Sequence, residues 1–305
     1  MHNTDTSKVL RTDHQVFLRV IHQCPVLGSL RSINHSLMEL THEPDCHAVQ
    51  IAEVIRQDPS LTTRLLRLVN SVFAGLRTPV TSLESAVFYL GLSGIRHLAM
   101  TSKFIEELSA LSGETGDADW VRLWRHSIST AYFTREILSL YGTSSTDDLD
   151  YLVGLLHNVG KIVMAHAFKA EFQETLDWSA PTTAAFAKKE EATFGWDHAE
   201  VGAEYLRMHR LNEAVISAVR WHNDPYKAGD HAHYAAAVQV ADCLALYAGV
   251  PPGVEIVDPI GNGDWTKLPG WRILFPDDSS RNRLARAALA ANIQRLPGFL
   301  EAMSS

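Results

Sequence analysis

Apolar residues recur along this chain at three- and four-residue steps, the spacing that gives a helix one buried face. Ile51, Val54 and Ile55, then Leu61, Leu65, Leu66, Leu68 and Val69, form one such face. Asp58-Pro59 between them reads as an N-cap followed by proline at the first helical position, where a missing N–H costs little. Thr81 and Glu84 have the spacing of a capping box ahead of Ala86, Val87, Phe88 and Leu90. Gly91 suits a left-handed C-terminal position, and Ser93 can cap the next helix. The small, polar stretch 112–118 breaks the pattern. A long helix is predicted from Asp119 to Tyr141, with Trp120, Leu123, Trp124, Ile128 and Ile137 inward. After a polar loop to Asp150, helices are predicted at about 148–168, 183–194, 197–210, 212–223 and 232–248, and a last one at about 280–303. Alternating strand patterns never persist, and no repeat of fixed period is visible. The expected fold is all-α: a two-lobed helical bundle with lobes at 1–115 and 116–249. An irregular segment and a C-terminal helix follow at 250–305, with five of the twelve prolines falling in 250–279.

Charge and composition narrow the function. Among 305 residues there are 27 Lys+Arg against 35 Asp+Glu, a net charge of −8. Binding that coats DNA runs on phosphate neutralisation, and this balance excludes it as the main activity. Cys24, Cys46 and Cys243 are odd in number, far apart and in no CxxC pair, so a disulfide framework is not expected. The start Met1-His2-Asn3-Thr4-Asp5 is unlike a signal peptide. The longest apolar run, Ala235 to Val250, is interrupted by Gln239 and Asp242 and makes no membrane span. A cytoplasmic protein without membrane partners is expected. The 15 histidines are the excess to explain.

Five residues on predicted helices stand amid apolar neighbours, where an unpaired polar group is costly. They are His126, His157 (in Leu155-Leu156-His157-Asn158-Val159-Gly160-Lys161), His198, His222 and Asp242. Imidazoles and a carboxylate from successive helices can converge inside a bundle, and such a donor set suits iron, zinc, manganese or nickel.

In that order these residues resemble the ligand pattern of the HD superfamily of metal-dependent phosphohydrolases, in its HD-GYP branch. The first lobe is similar to the HDOD domain (HD-related output domain) of bacterial signalling proteins. Gln57-Asp58-Pro59-Ser60-Leu61, Leu65 to Ser71, Val80 to Ala86 and Leu90-Gly91 carry that likeness, which covers roughly residues 15–245. The resemblance implies metal ligands at His126, His157 and Asp242, with His198 and His222 optional. It also implies a regulatory role through a signalling protein partner, with a nucleotide as an alternative ligand.

Two departures from the catalytic pattern bear on activity. Asn158 stands where the superfamily has the aspartate that bridges two metal ions, and a neutral amide is a poorer ligand. Asn158 is therefore expected to act as a hydrogen-bond donor beside the metal, or as a weak ligand. In place of a Gly-Tyr-Pro segment the chain has His222-Asn223-Asp224-Pro225-Tyr226, which argues against cyclic di-GMP hydrolysis. The expectation is a signalling module without hydrolase activity. The alternative is a divergent phosphohydrolase acting on a phosphodiester or nucleotide, with Lys161 steadying the phosphate. Lys161 is otherwise a solvated helix-face residue, as is the run Lys188-Lys189-Glu190-Glu191. Asn70-Ser71 serves as a helix stop, and His231 and His233 as loop residues.

Overall fold

The structure is a computed structural model. It describes residues 80–91, 117–143, 148–168, 179–180, 183–251, 256–257, 264–277 and 279–303, with scattered positions among 17–24, 55–70, 94–97 and 172. The Asp58-Pro59 cap, Gln57 to Leu61, Ser71, Cys46, the break at 112–116, the side chain of Trp120 and the loop 258–263 lie outside the described residues. The chain forms two compact units. One comprises Met1–Pro25 with Thr115–Ala290, the other Val26–Glu114 with Ala291–Ser305.

In the smaller unit, Ile55, Leu65, Leu68, Val69, Val80, Leu83, Ala86, Val87 and Ile95 form a buried cluster, with Leu66, Leu90 and Phe299 packed on it. Asn70 fastens two segments of this unit together. Its amide donates to the carbonyls of Leu66 and Val80, and its oxygen accepts from Val80 N–H at 2.7 Å. The helix at 83–91 is capped by Ser82, whose Oγ accepts from Ser85 N–H, one residue later than the expected Thr81–Glu84 box. Gly91 takes φ of +67°, the left-handed stop that the pattern calls for. Phe88 faces away from the cluster and is 80% exposed.

The larger unit is a helical bundle. Its helices are α1 (Asp117–Tyr141), α2 (Leu149–Leu156), α3 (Val159–Ala167), α4 (Thr183–Phe194), α5 (His198–Met208), α6 (Glu213–Trp221), α7 (Ala232–Tyr247), α8 (Pro269–Leu274) and α9 (Ser280–Met303). The last of these runs on into the residues of the smaller unit. The α1 helix packs along α7 and α2, and α3 packs on α5, so the core is built from their buried faces. Trp124, Ile128 and Ile137 lie inward as their spacing requires.

Two differences from the sequence pattern matter. The helix expected at 148–168 is two helices, interrupted at His157-Asn158, where Asn158 takes φ −102°, ψ 13°. Every residue from Leu152 to Ala165 is buried, so apolar periodicity carried no mark of the break. The region after 250 holds a short helix, α8, and Ser179–Ala180 pairs in parallel with Ile256–Val257. No described helix is long and apolar enough to cross a membrane.

Candidate metal centre

Each of the five predicted ligands is buried, as are Asn158 and Lys161, none more than 5% exposed. His126 comes from the middle of α1 and Asp242 from α7. His157 and His222 occupy equivalent places, since each is the residue that closes a helix. The last carbonyls of a helix lack intrahelical partners. His157 Nδ1 donates to Gly154 O at 2.7 Å, and His222 Nδ1 donates to Val219 O at 2.8 Å, each three residues back. The same bond satisfies the carbonyl and leaves Nε2 as a lone pair on the far side of the ring.

The other two histidines are held through the same nitrogen. His126 Nδ1 donates to Val250 O at 2.7 Å, and His198 Nδ1 donates to Glu190 Oε2 at 2.5 Å. Four rings thus spend Nδ1–H on an outer partner and keep Nε2 for the interior, the arrangement that fixes metal-binding imidazoles.

Three of the five form a tight group: ligand atoms of His126, His157 and Asp242 all lie within 4.8 Å of one another. His126 Nε2 is 2.8 Å from Asp242 Oδ1, and His157 Nε2 is 3.9 Å from the same oxygen. His157 Nε2 is fully buried with no hydrogen-bond partner, an orphaned lone pair beside a carboxylate. Such an atom costs free energy unless a proton or cation meets it. The donor set therefore fits a cation of the zinc, iron, manganese or nickel kind.

His198 and His222 are not within that group, although the rings form a chain. Centroids are 5.3 Å apart for His126–His157, 5.5 Å for His157–His222 and 5.4 Å for His198–His222. The electrostatics follow from burial. Desolvation holds His157 neutral well below the usual histidine range and brings His222 down to about 4, with His198 beside it adding to the effect. Burial alone would raise the Asp242 carboxyl. The hydrogen bond and charge of His126, with His157 and His222, outweigh it and hold that carboxyl below its ordinary range.

Asp242, His198 and His222 line a small pocket together with Asn158, Lys161 and Phe186. Lys161 is not the solvated residue expected from its place on a helix. It is buried, with Nζ 5.1 Å from the centroid of the Phe186 ring.

Glu190 is the residue of this site that the charge run concealed. Lys188, Lys189 and Glu191 are exposed as expected, but Glu190 is fully buried and accepts from both the backbone N–H and Nδ1 of His198. Its signal was weak. Glu190 lies four residues after Phe186 and four before Phe194, on the buried face of α4. His198 opens α5, with Asp197 as its N-cap accepting from Glu200 N–H at 2.7 Å. Gly160 allows α3 and α5 to meet closely, since a Cβ there would lie 1.8 Å from His198 O.

Against known proteins, the model of the HDOD domain matches residues 27–225. A Treponema pallidum protein of uncharacterized function is 28% identical over 181 residues, which are 59% of this chain and 34% of that protein. The chain thus spans about a third of the length of this relative. Among solved structures, an HDOD domain protein of unknown function from Geobacter sulfurreducens is 24% identical with a TM-score of 0.70, covering 95% of this chain and 99% of that one. A signal transduction protein, provisionally so named, from Marinobacter aquaeolei is 20% identical with a TM-score of 0.66, covering 100% and 68%. A provisionally named phosphohydrolase from Shewanella amazonensis is 20% identical with a TM-score of 0.64, covering 95% and 98%. At these identities the likeness establishes the all-α HDOD fold.

Proposed function

Because the chain belongs to the HDOD family, we propose that it is a signalling module that works by binding a partner protein, holding one metal ion at His126, His157 and Asp242 without hydrolysing phosphodiesters. The carrying observation is the carboxylate count at the doublet. In the three-residue group Asp242 is the single carboxylate, and the residue after His157 is an amide. A two-metal hydrolytic centre clamps both attacking and leaving oxygens and needs anionic bridges to hold two dications close together. One carboxylate and neutral imidazoles support one dication.

A partner protein is the favoured signalling ligand on charge grounds, since a chain of net charge −8 is poorly suited to coating nucleic acid. A cytoplasmic location belongs to the same proposal, and so does the absence of membrane partners.

One observation favours a second reading, a divergent phosphohydrolase. Lys161 is buried in the same pocket as Asp242, where a cation can meet a phosphate oxygen in a dry site. The test is turnover of bis-p-nitrophenyl phosphate and of nucleotides by metal-loaded protein. The first reading predicts no turnover above a His157→Ala control. Metal-dependent turnover abolished by that substitution and reduced by Lys161→Met would establish the second.

A further inference from the structure

His222 stands outside the three-residue metal group, and its inward ring nitrogen is occupied by a specific contact. Its Nδ1 is committed to Val219 O, so a neutral ring presents Nε2 as a lone pair and its partner must be a donor. That donor is the side-chain amide of the next residue: Asn223 Nδ2 lies 3.1 Å from His222 Nε2. A ring nitrogen occupied in this way cannot ligate a cation until the amide turns aside.

The backbone that carries this amide is in turn tied to the segment beyond residue 250. Gln239, one turn before Asp242 on α7, donates from Nε2 to Asn223 O at 3.2 Å. Its Oε1 accepts from Gly270 N–H in α8 at 2.8 Å. The backbone donor at Gly270 fixes which end of the Gln239 amide faces which neighbour, so the directions of all three bonds agree. Gly270 is required for this approach, because a Cβ there would stand 2.5 Å from Ala236 O. The start of the same segment also reaches the centre, through the bond from His126 to Val250 O. Val250, Gln239 and Gly270 all lie beyond the family match, which ends at residue 225.

We infer that the seating of α8 sets whether His222 can join a bound metal, through Gln239 and Asn223. With α8 seated, Asn223 holds the Nε2 lone pair and the centre has three protein ligands. With α8 displaced, the loop carrying Asn223 loses its tether, the amide leaves, and the ring adjacent to His157 gains a free nitrogen. The segment after 250 is thereby an input that alters ligand number. This inference rests on the metal reading, but the relay itself can be observed without metal.

The experiment uses the full chain labelled with ¹⁵N-histidine. In metal-free protein, the His222 Nε2 resonance is identified by its loss in His222→Gln. It is expected to move toward the position of a free lone pair in Asn223→Ala, and in the same direction by a smaller amount in Gln239→Leu and Gly270→Ala. An unmoved resonance in folded Gln239→Leu overturns the coupling. In a parallel titration with Co²⁺, Asn223→Ala is expected to bind about five- to tenfold more tightly than the natural chain, the scale of one competing hydrogen bond removed. That gain should vanish when His222→Gln is added. Equal affinities with and without the Asn223 amide overturn the role in ligation. Absence of Co²⁺ binding in every protein, with the resonance moving as expected, removes the metal reading and leaves the relay supported.

Discussion

His126 gives its Nδ1 hydrogen to Val250 O at 2.7 Å and sets Nε2 against Asp242 Oδ1 at 2.8 Å. A neutral imidazole carries one N–H, so a lone pair and a carboxylate cannot share that second distance without a proton or a cation between them. In metal-free protein a proton fills the role, and a metal must displace it. About one proton is therefore expected to leave for each metal bound, with affinity rising as pH rises. Calorimetry in buffers of different ionisation enthalpy measures this directly. Asp242→Asn should cost at least the roughly hundredfold in affinity that loss of a metal's outer-shell partner can reach.

Asn158 allows a second measurement of the same chemistry. It lines the pocket with Asp242, at the break between α2 and α3. Asn158→Asp supplies the missing carboxylate with almost no change of shape. Metal content per chain is expected to rise from one toward two, read by elemental analysis on both proteins. Unchanged content would remove the bridging argument.

Gly160→Ala separates packing from propensity. Alanine favours a helix by about 1 kcal/mol over glycine. Here the added methyl would enter the backbone of His198, 1.8 Å from its carbonyl oxygen. Overpacking of this kind costs about 1–3 kcal/mol, and an overlap against backbone belongs at the upper end. Urea unfolding is expected to show net destabilisation of about 2 kcal/mol, with His198 displaced from the pocket.

The contribution of His222 to the stability of the metal-free protein should fall on mild acidification. His222 is neutral when folded down to about pH 4, because burial penalises its charged form, whereas an unfolded histidine takes up its proton near 6.5. Between those values the unfolded chain binds more protons, so its stability rises with pH and the full contribution is present above about 6.5. His157 acts in the same direction. Asp242 does not oppose them in this window, since its depressed carboxyl stays ionised and its contribution is lost only at lower pH. Lowering the pH from 6.5 to 5 is expected to cost about 1.5 kcal/mol through His222 alone. Denaturant titrations at the two pH values, compared with His222→Gln, measure the difference.

Helices such as α5 and α6 were legible because each has an apolar stripe and polar ends. The expected 183–194 is α4 itself, and the expected 232–248 is α7 to within a residue. The candidate site was legible as an order of residue types, helped by the likeness to a known family. Its division was not. Which rings meet Asp242 depends on where α1, α2 and α7 cross, and a linear pattern holds no crossing distances. The break at His157-Asn158 was hidden because residues on both sides are buried. Glu190 was hidden because three exposed neighbours of the same run masked its inward position. Lys161 misled for a similar reason: its charge suggested solvent, while its helix is buried all round.

Metal content is the decisive measurement for a one-metal centre at His126, His157 and Asp242. The full chain is purified without added metals or chelators, then analysed by elemental mass spectrometry beside His157→Ala and Asp242→Ala. About one first-row transition metal per chain is expected, absent from both variants. A metal-free natural chain that also fails to take up Zn²⁺, Fe²⁺, Mn²⁺ or Ni²⁺ would contradict it, and so would metal retained in the variants.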